Sequence, residues 1–236
     1  MRVLRALINT AMRVDETIGS NPCSSLRIPA PPKRQVEMLD IARWWIETEK
    51  LSPMRRDLHR AMLHTGARRS SILSVRRSDV DLDRAILTFR HMKIGGPMML
   101  PIGWRLTEML KTRLAADIVL GSEWLWPSPT SACGHAVEPK EKRRGDLPSS
   151  HEYRHLARTL FIASGAPYAE SALLLGQKLP GASGGYIHPE HLVEHLRPFM
   201  QALEDRIFAQ RAEIGGQDLQ CGFHYLSLAR AKLTNA

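Results

Sequence analysis

Two histidines and an arginine lie close together in the sequence as His151, Arg154 and His155. Their spacing of three and four residues places all three on one face of a helix. Ser149 and Glu152 form a capping-box pattern, which predicts that a helix begins at this point. Free backbone N–H groups and the helix dipole favour an anion near such a start. The cluster therefore indicates a phosphate site, and the alternative is a solvated helix face with an incidental cluster.

Further groups suited to phosphate chemistry occur at four other places in the chain. Arg68 and Arg69 follow a helix break at Gly66, and Lys93 lies beside a predicted hairpin turn. Tyr186 follows a glycine-rich stretch, and a basic run occupies a polar loop at Lys140, Lys142, Arg143 and Arg144. Each has a simpler interpretation, because Tyr186 fits a partly buried tyrosine, Lys93 a surface charge at a hairpin edge, and the basic run a solvated loop. Beside a phosphate site, the same run could follow a DNA backbone.

The elements that must position these groups are mostly helical. Apolar spacing predicts a series of helices with a break at Thr65-Gly66. Between the predicted helices 56–75 and 104–116 the pattern becomes β-rich and contains a Gly-Gly-Pro turn. The predicted helices cover 3–12, 36–49, 56–75, 104–116, 150–165, 167–176 and 191–208, and the predicted hairpin strands cover 85–90 and 98–102. The segment 124–127 is a candidate strand. We expect Trp44, Trp45, Trp124 and Trp126 to lie in the core rather than to stack on bases.

Composition limits the function classes further. The chain has 236 residues, with 33 Lys and Arg against 24 Asp and Glu, which gives a net charge of +9. This balance is typical of proteins that bind polyanions, and it is also common in proteins without that role. Three separated cysteines predict no disulfide framework and fit a reducing, cytoplasmic location. The sequence has no apolar run long enough to span a membrane, no zinc-ligand spacing beside Cys133 and no evident secretory signal.

The order of these motifs resembles the tyrosine recombinases, or phage integrases. The matching pieces are Thr65-Gly66-Ala67-Arg68, Lys93, His151-Glu152-Tyr153-Arg154-His155, Leu175-Gly176-Gln177 and Tyr186. Each motif alone is common, but five in the same order and spacing are specific. The resemblance extends from about Val36 to about Phe208. It implies a mainly α-helical catalytic domain with a small antiparallel sheet, an α+β arrangement.

The resemblance also implies a role for each matching residue. Arg68 and Arg154 would hold the non-bridging oxygens of the scissile phosphate, and Lys93 would protonate the leaving 5′ oxygen. His151 would assist proton transfer at the nucleophile Tyr186, which would form a 3′-phosphotyrosyl link. Gln177 would complete the catalytic set by donating a hydrogen bond to the phosphate. The supporting or DNA-binding positions would be Arg69, His155, Lys140, Lys142, Arg143 and Arg144. No cofactor and no metal are expected, because the cationic side chains supply the positive charge.

Two positions depart from the family pattern and leave other functions open. Ser71 stands where the family usually has an acidic residue, and Gln177 stands where it usually has His or Trp. The activity implied is site-specific DNA recombination or integration, as in a mobile element. The alternatives are a non-catalytic DNA-binding relative and a topoisomerase-like nicking-closing enzyme.

The domain interpretation follows the same resemblance. We expect residues 1–35 to be a remnant helix of a core-binding domain plus a basic linker, which implies N-terminal truncation and impaired activity. Residues 36–210 would form the catalytic domain and 211–236 a C-terminal tail. The expected partner is double-stranded DNA, on which the protein would assemble as a homo-oligomer. The final helix, 191–208, would dock on a neighbouring protomer, and the alternative is that it packs on its own domain.

Overall fold

The chain divides into two compact units, Met1–Gln35 and Val36–Ala236. The computed structural model describes residues 2–26, 38–91, 96–116, 119, 121–137, 147–177 and 189–212. In the smaller unit, helix α1 spans Arg2–Ala11. The Arg5 guanidinium donates to the carbonyl of Leu26 at 2.8 Å and also reaches that of Cys23. These bonds fold the chain after α1 back along the helix.

The larger unit is mainly helical with one small antiparallel sheet, which confirms the predicted fold class. Its helices are α2 Ile41–Glu49, α3 Pro53–Thr65, α4 Arg69–Leu73, α5 Trp104–Leu114, α6 Ser150–Ala163, α7 Tyr168–Leu174 and α8 Pro189–Ala212, with a 3-10 turn at Arg77–Asp79. The sheet consists of β1 Val80–Asp81, β2 Ile86–Phe89 and β3 Met98–Pro101. Among the described residues, no helix is both long and apolar enough to cross a lipid bilayer.

The predicted hairpin is confirmed and gains a short third strand. In the antiparallel β2–β3 pair, Ile86 lies opposite Pro101 and Phe89 opposite Met98. β1 extends the sheet in the order β1-β2-β3, and its two residues are too few to give a periodic sequence signal. The candidate strand at 124–127 is wrong, because this segment makes only single bridges, one of which joins Trp124 to Arg76.

Local caps explain where the helices differ from the apolar pattern. The predicted helix at 36–49 begins later, at Ile41, because the Asp40 side chain accepts the Arg43 N–H at 2.9 Å and caps the helix. The predicted helix at 56–75 is two helices. α3 begins earlier, at Pro53, whose fixed φ suits a first helical position. The predicted break after Thr65 is confirmed, since Gly66 has a left-handed φ of +58°.

The core lies between α2, α3, α6, α8 and the sheet. Trp44 and Trp126 are almost fully buried and Trp45 is mostly buried, so the expectation of core tryptophans is confirmed for these three. Trp124 is only half-buried. Tyr153, the central residue of the 151–155 segment, is also fully buried. This segment therefore has one face in the core and another in solvent.

Helix α8 packs on its own domain, which agrees with the alternative expectation, and docking on a neighbouring protomer stays a prediction. Its apolar stripe is buried in cis, at Val193, Leu196, Met200, Leu203 and Ile207. The helix contacts α2, α6 and β3 and continues through Pro198 to Ala212. An amphipathic stripe has the same sequence signature whether the apolar surface that covers it belongs to the same chain or another.

A buried carboxylate fixes α8 against α5. Glu204 is 1% exposed, and its two oxygens accept the N–H groups of Arg105 and Leu106 at 2.8 and 2.9 Å. These are free donors of the first turn of α5, so a side chain from α8 caps a helix that begins about a hundred residues earlier. Burial acts to raise the pKa of Glu204, but hydrogen bonds from His64 and from these two N–H groups outweigh burial and lower it.

Candidate active site

A small pocket gathers residues from the ends of several elements around Arg68. Arg68 is the N-cap residue of α4, two residues after the left-handed Gly66 that ends α3. The pocket is lined by Thr65, Ala67, Arg68, Ser71, Phe89, Met98, Arg154, Leu174 and Leu175. Arg68 and Arg154, which are 86 positions apart in the sequence, therefore face one space. The predicted convergence of the two arginines is present in the fold.

Part of the Arg68 guanidinium is buried without a partner. Within the described part of the chain, its Nη1 atom has no hydrogen-bond acceptor and is shielded from solvent. A buried donor without an acceptor costs about 1–3 kcal/mol. An anion in the pocket would supply the missing acceptor and the missing negative charge.

Arg154 is held in place by two backbone carbonyls. Its Nη1 donates to the Gly66 carbonyl at 3.0 Å, and its Nη2 donates to the Leu175 carbonyl at 2.6 Å. These bonds use two of the five guanidinium N–H groups and leave up to three for a ligand. Burial, followed by repulsion from Arg68 and Arg158, lowers the pKa of Arg154 to about 10. The group stays cationic at neutral pH, and an anion would relieve the repulsion.

The junction beneath the two arginines has no spare room. A Cβ atom at Gly66 would lie 2.4 Å from Leu175 Cδ2 and 2.8 Å from Ala157 Cβ. Gly66 thus allows α3, α6 and the end of α7 to meet at van der Waals contact, in addition to supplying the left-handed turn. Its carbonyl is the one that anchors Arg154.

His151 and His155 form a hydrogen-bonded pair one turn apart on the exposed face of α6. Their Nε2 atoms are 3.0 Å apart, and the ring planes cross at 87°. The predicted capping box is confirmed, since Ser149 accepts the Glu152 N–H and the Glu152 carboxylate accepts the Ser149 N–H at 2.8 Å. The helix start that was inferred from sequence therefore positions both imidazoles.

Tyr153 fixes the orientation of this helix from below. Its hydroxyl lies 2.8 Å from Trp44 Nε1 on α2 and 2.8 Å from His59 Nδ1 on α3. Sequence analysis did not single out Tyr153 for a role. A tyrosine with two buried polar contacts sets the rotation of α6 about its axis, and hence the directions of Arg154 and the two histidines.

One of the two departures from the family pattern lines the pocket. Ser71 is buried on the pocket wall, and its hydroxyl donates to the His91 carbonyl at 3.0 Å. Gln177 is half-buried two residues after the carbonyl that anchors Arg154, and its N–H donates to the Ala172 carbonyl at 2.9 Å. Ser71 thus contributes a neutral hydroxyl where an acidic side chain was expected from the resemblance.

Other predicted residues are placed less directly or lie outside the described residues. Arg69 is exposed at the first position of α4, beside Arg68. The residues outside the description are Lys93, Lys140, Lys142, Arg143, Arg144 and Tyr186. Phe89 and Met98, which bracket the connection that carries Lys93, both line the pocket.

Arg158 is a cation that sequence analysis missed. It contributes to lowering the pKa of both Arg154 and His155, and its guanidinium lies 4.9 Å from the ring centre of the exposed Tyr168. Its position, four residues after Arg154, is a signal that could have identified it. In the described ranges, no three His, Cys, Asp or Glu side chains are arranged to hold a metal ion.

Comparisons by sequence and by structure give different results. No protein-family model and no curated protein sequence matches the chain. Solved structures do match, among them an integrase from mycobacterium phage Brujita, with a TM-score of 0.55 and 17% identity over 88% of this chain and 74% of that one. A lambda integrase dimer bound to a COC′ core site matches with a TM-score of 0.56 and 20% identity over 74% of this chain and 70% of that one. The Tn1549 transposon integrase in complex with a circular intermediate DNA matches with a TM-score of 0.51 and 14% identity over 75% of this chain and 70% of that one.

Identities of 14–20% are evidence about the fold rather than about activity. The helices and three-stranded sheet of the larger unit, with two arginines converging at the helix ends, agree with that evidence. The chain has the fold of the catalytic domain of the tyrosine recombinases.

Proposed function

We propose that the protein cuts and rejoins DNA strands through a covalent link between a 3′ phosphate and Tyr186. The observation that carries the proposal is the pocket shared by Arg68 and Arg154, in which a buried guanidinium atom lacks an acceptor. Displacement at a phosphodiester increases the negative charge on its oxygens, and preorganised guanidinium groups stabilise that charge. Two of the structures similar in fold, the lambda integrase on its core site and the Tn1549 integrase on a circular intermediate DNA, support DNA as the substrate.

The reaction balances without a metal or ATP. The Tyr186 oxygen attacks phosphorus and forms a phosphotyrosyl bond as the bond to the 5′ oxygen breaks. The phenolic proton passes to His151, and Lys93 donates a proton to the departing 5′ oxygen. Because the new link retains the energy of the broken bond, a 5′ hydroxyl can attack it and reseal a strand. A tyrosine with an ordinary pKa near 10 requires such a base and a positive field.

Covalent trapping on nicked DNA tests this proposal. Nicked duplexes of randomised sequence release a short fragment after attack, which leaves the protein attached to DNA under denaturing conditions. We expect adducts with the wild-type protein, none with Y186F, and a loss of about 10²–10³-fold with R154A. The matched control is R206A, because Arg206 is exposed on α8 and donates to the Ala163 carbonyl.

The same assay distinguishes a second candidate, a non-catalytic DNA-binding protein. Ser71 favours this candidate, since its hydroxyl is bound to a backbone carbonyl and it cannot supply the carboxylate usual at that position. DNA binding without any adduct from the wild-type protein would support it and contradict the catalytic proposal. Sequence-independent relaxation of supercoiled DNA would instead indicate a topoisomerase-like activity. Assembly of a homo-oligomer on DNA and a cytoplasmic location stay predictions.

A further inference from the structure

A second cavity lies between α2, α3, α5 and α8. It has a volume of about 100 Å³, opens to solvent and shares no lining residue with the pocket around Arg68. Its wall is mostly apolar, with two cationic side chains. The lining includes Trp45, Leu106, Met109 and Phe208 as apolar or aromatic residues and Arg60 and Arg105 as cations. Because a closed cavity of about 150 Å³ accepts benzene, this one suits a ligand body no larger than a single ring.

One residue of the cavity wall carries a hydrogen-bond donor without an acceptor. Trp45 is 7% exposed, and among the described residues its Nε1 atom has no partner and is shielded from solvent. An indole N–H can only donate, so the missing partner is an acceptor such as a carboxylate oxygen. The buried donor therefore indicates a ligand with a polar end as well as an apolar body.

Three guanidinium groups surround the two aromatic rings of the cavity. Those of Arg60 and Arg211 lie 3.9 and 4.5 Å from the centre of the Trp45 ring. That of Arg105 lies 4.3 Å from the centre of the Phe208 ring. Burial, followed by repulsion from Arg105, acts to lower the pKa of Arg211. The rings attract the cations, but the cations repel one another, so an anion between them would be favoured.

The carboxylates near the cavity leave one of these positive charges over. Glu49 and Asp205 each bond one of the two lining arginines. In the part of the chain that the structure describes, Arg211 contacts the two aromatic rings and bonds no carboxylate. Glu204 is already bonded to the first turn of α5 and to His64. One remaining charge matches a monoanion better than a phosphate group, which carries about −1.5 to −2.

We propose that this cavity binds a small carboxylic acid with a compact apolar body, whose carboxylate accepts the Trp45 N–H and faces Arg60 and Arg105. The two oxygens of a carboxylate can accept from the indole and from a guanidinium at the same time. The apolar body would pack on Leu106 and Met109. The proposal does not rest on the proposed function, since the cavity and the pocket around Arg68 have no residue in common.

Nitrogen-15 correlation spectra of the full-length protein test the proposal with benzoate as the probe. The indole signal of Trp45 is assigned with W45F. We expect this signal to move downfield and to saturate as benzoate is added, because its N–H gains a charged acceptor. Benzyl alcohol lacks the charge, phosphate lacks the apolar body, and 2-naphthoate exceeds the cavity, so each should shift the signal much less.

Three variants separate charge from shape. R105M keeps the backbone N–H that bonds Glu204 but loses a charged donor, so it should bind benzoate about 10-fold more weakly. M109W should fill the cavity and abolish binding without removing a cation. R206M is the matched control, because Arg206 is exposed on the same helix as Phe208 and donates to the Ala163 carbonyl. R206M should bind benzoate like the wild-type protein.

Thermal unfolding gives a second readout that needs no assignment. Benzoate should raise the Tm of the wild-type protein and of R206M, and it should raise that of R105M and M109W much less. The proposal is overturned if the wild-type protein shows neither a saturable shift nor a rise in Tm. Equal affinity of R105M and the wild-type protein, or equal effects of benzoate and benzyl alcohol, would also overturn it. None of these measurements uses DNA, so their failure is distinguishable from a failure of covalent trapping.

Discussion

At the scale of single residues, the candidate site contains an energetically unfavourable arrangement of two arginines. Arg68 and Arg154 are drawn together, and the Arg68 Nη1 atom is buried without an acceptor. Such an arrangement costs stability in the free protein and is relieved when an anion binds. The same residue can therefore reduce stability and be required for function.

Replacing Arg68 should make the fold more stable. In R68M the unpartnered donor and its repulsion with Arg154 are removed, while the aliphatic part of the side chain is largely kept. We expect the free energy of unfolding in denaturant titrations to rise by about 1 kcal/mol and DNA binding to weaken.

The matched control for R68M is R60M. Arg60 is buried, whereas Arg68 is half-buried, and the Arg60 guanidinium bonds to the carboxylate of Glu49 and to the Thr48 hydroxyl. Removing a partnered arginine leaves those acceptors unmet, so R60M should be less stable than the wild-type protein. A destabilised R68M would show that Arg68 is a structural residue.

Replacing Tyr153 should make the fold less stable, in contrast to replacing Arg68. Y153F removes the hydroxyl that contacts Trp44 Nε1 and His59 Nδ1 and adds no atom to the core. We expect a loss of about 2 kcal/mol in unfolding free energy, because two buried groups lose a partner. Y168F is the control, since Tyr168 is 70% exposed and a phenylalanine can still stack with Arg158. Equal stability of Y153F and Y168F would exclude the anchoring role of the hydroxyl.

At the scale of elements, the junction of α5 and α8 depends on one carboxylate and one missing methyl group. A Cβ at Gly103 would lie 2.6 Å from Glu204 Cδ, and Glu204 cannot move away without losing its bonds to Arg105 and Leu106. E204Q and G103A should each destabilise the protein by about 1–2 kcal/mol through loss of the same cap. The double variant should cost clearly less than the sum, and additive losses would contradict a shared mechanism.

The Glu204 cap should also be lost in acid. The pKa of Glu204 is lowered below its ordinary value of 4.5, so the folded state favours the carboxylate. Its contribution is complete above pH 4.5 and decreases as the pH falls through the lower folded-state value. We expect the stability difference between the wild-type protein and E204Q to shrink below about pH 4.5 in pH-dependent thermal unfolding. A difference that stayed constant down to pH 3 would contradict the assignment.

How much of each element the sequence predicts depends on whether its signals are local. The capping box at Ser149 and Glu152 correctly located the start of α6, and Gly66 correctly located the end of α3. The anchors of Arg154 could not be inferred, because they are carbonyls of residues 88 and 21 positions away. The sequence also left open whether α8 packs on its own domain or on a neighbour, since its apolar stripe does not say whose surface covers it. The motif order predicted a site around Arg68 and Arg154, but not the buried Nη1 atom.

At the scale of the whole molecule, the net charge of +9 should make DNA binding strongly dependent on salt. Each phosphate contact contributes about −0.9 to the slope of log K against log salt concentration. We expect R68M and R154A each to reduce the steepness of this slope by about one contact for random-sequence duplexes, whereas R206A should not change it. Variants that weaken binding without changing the slope would show that neither arginine contacts phosphate.

The crowding around Gly66 has one last consequence. Long cationic side chains normally exchange between rotamers, so the distance between two of them varies with time. Here Arg154 is fixed by the main-chain carbonyl of Gly66, two residues before Arg68, at a point where a single methyl group would not fit. We expect the added methyl group of G66A to widen the distance between Arg68 and Arg154 while both cations stay in the chain. The spacing of the two charges therefore depends on the rigid packing of the protein interior.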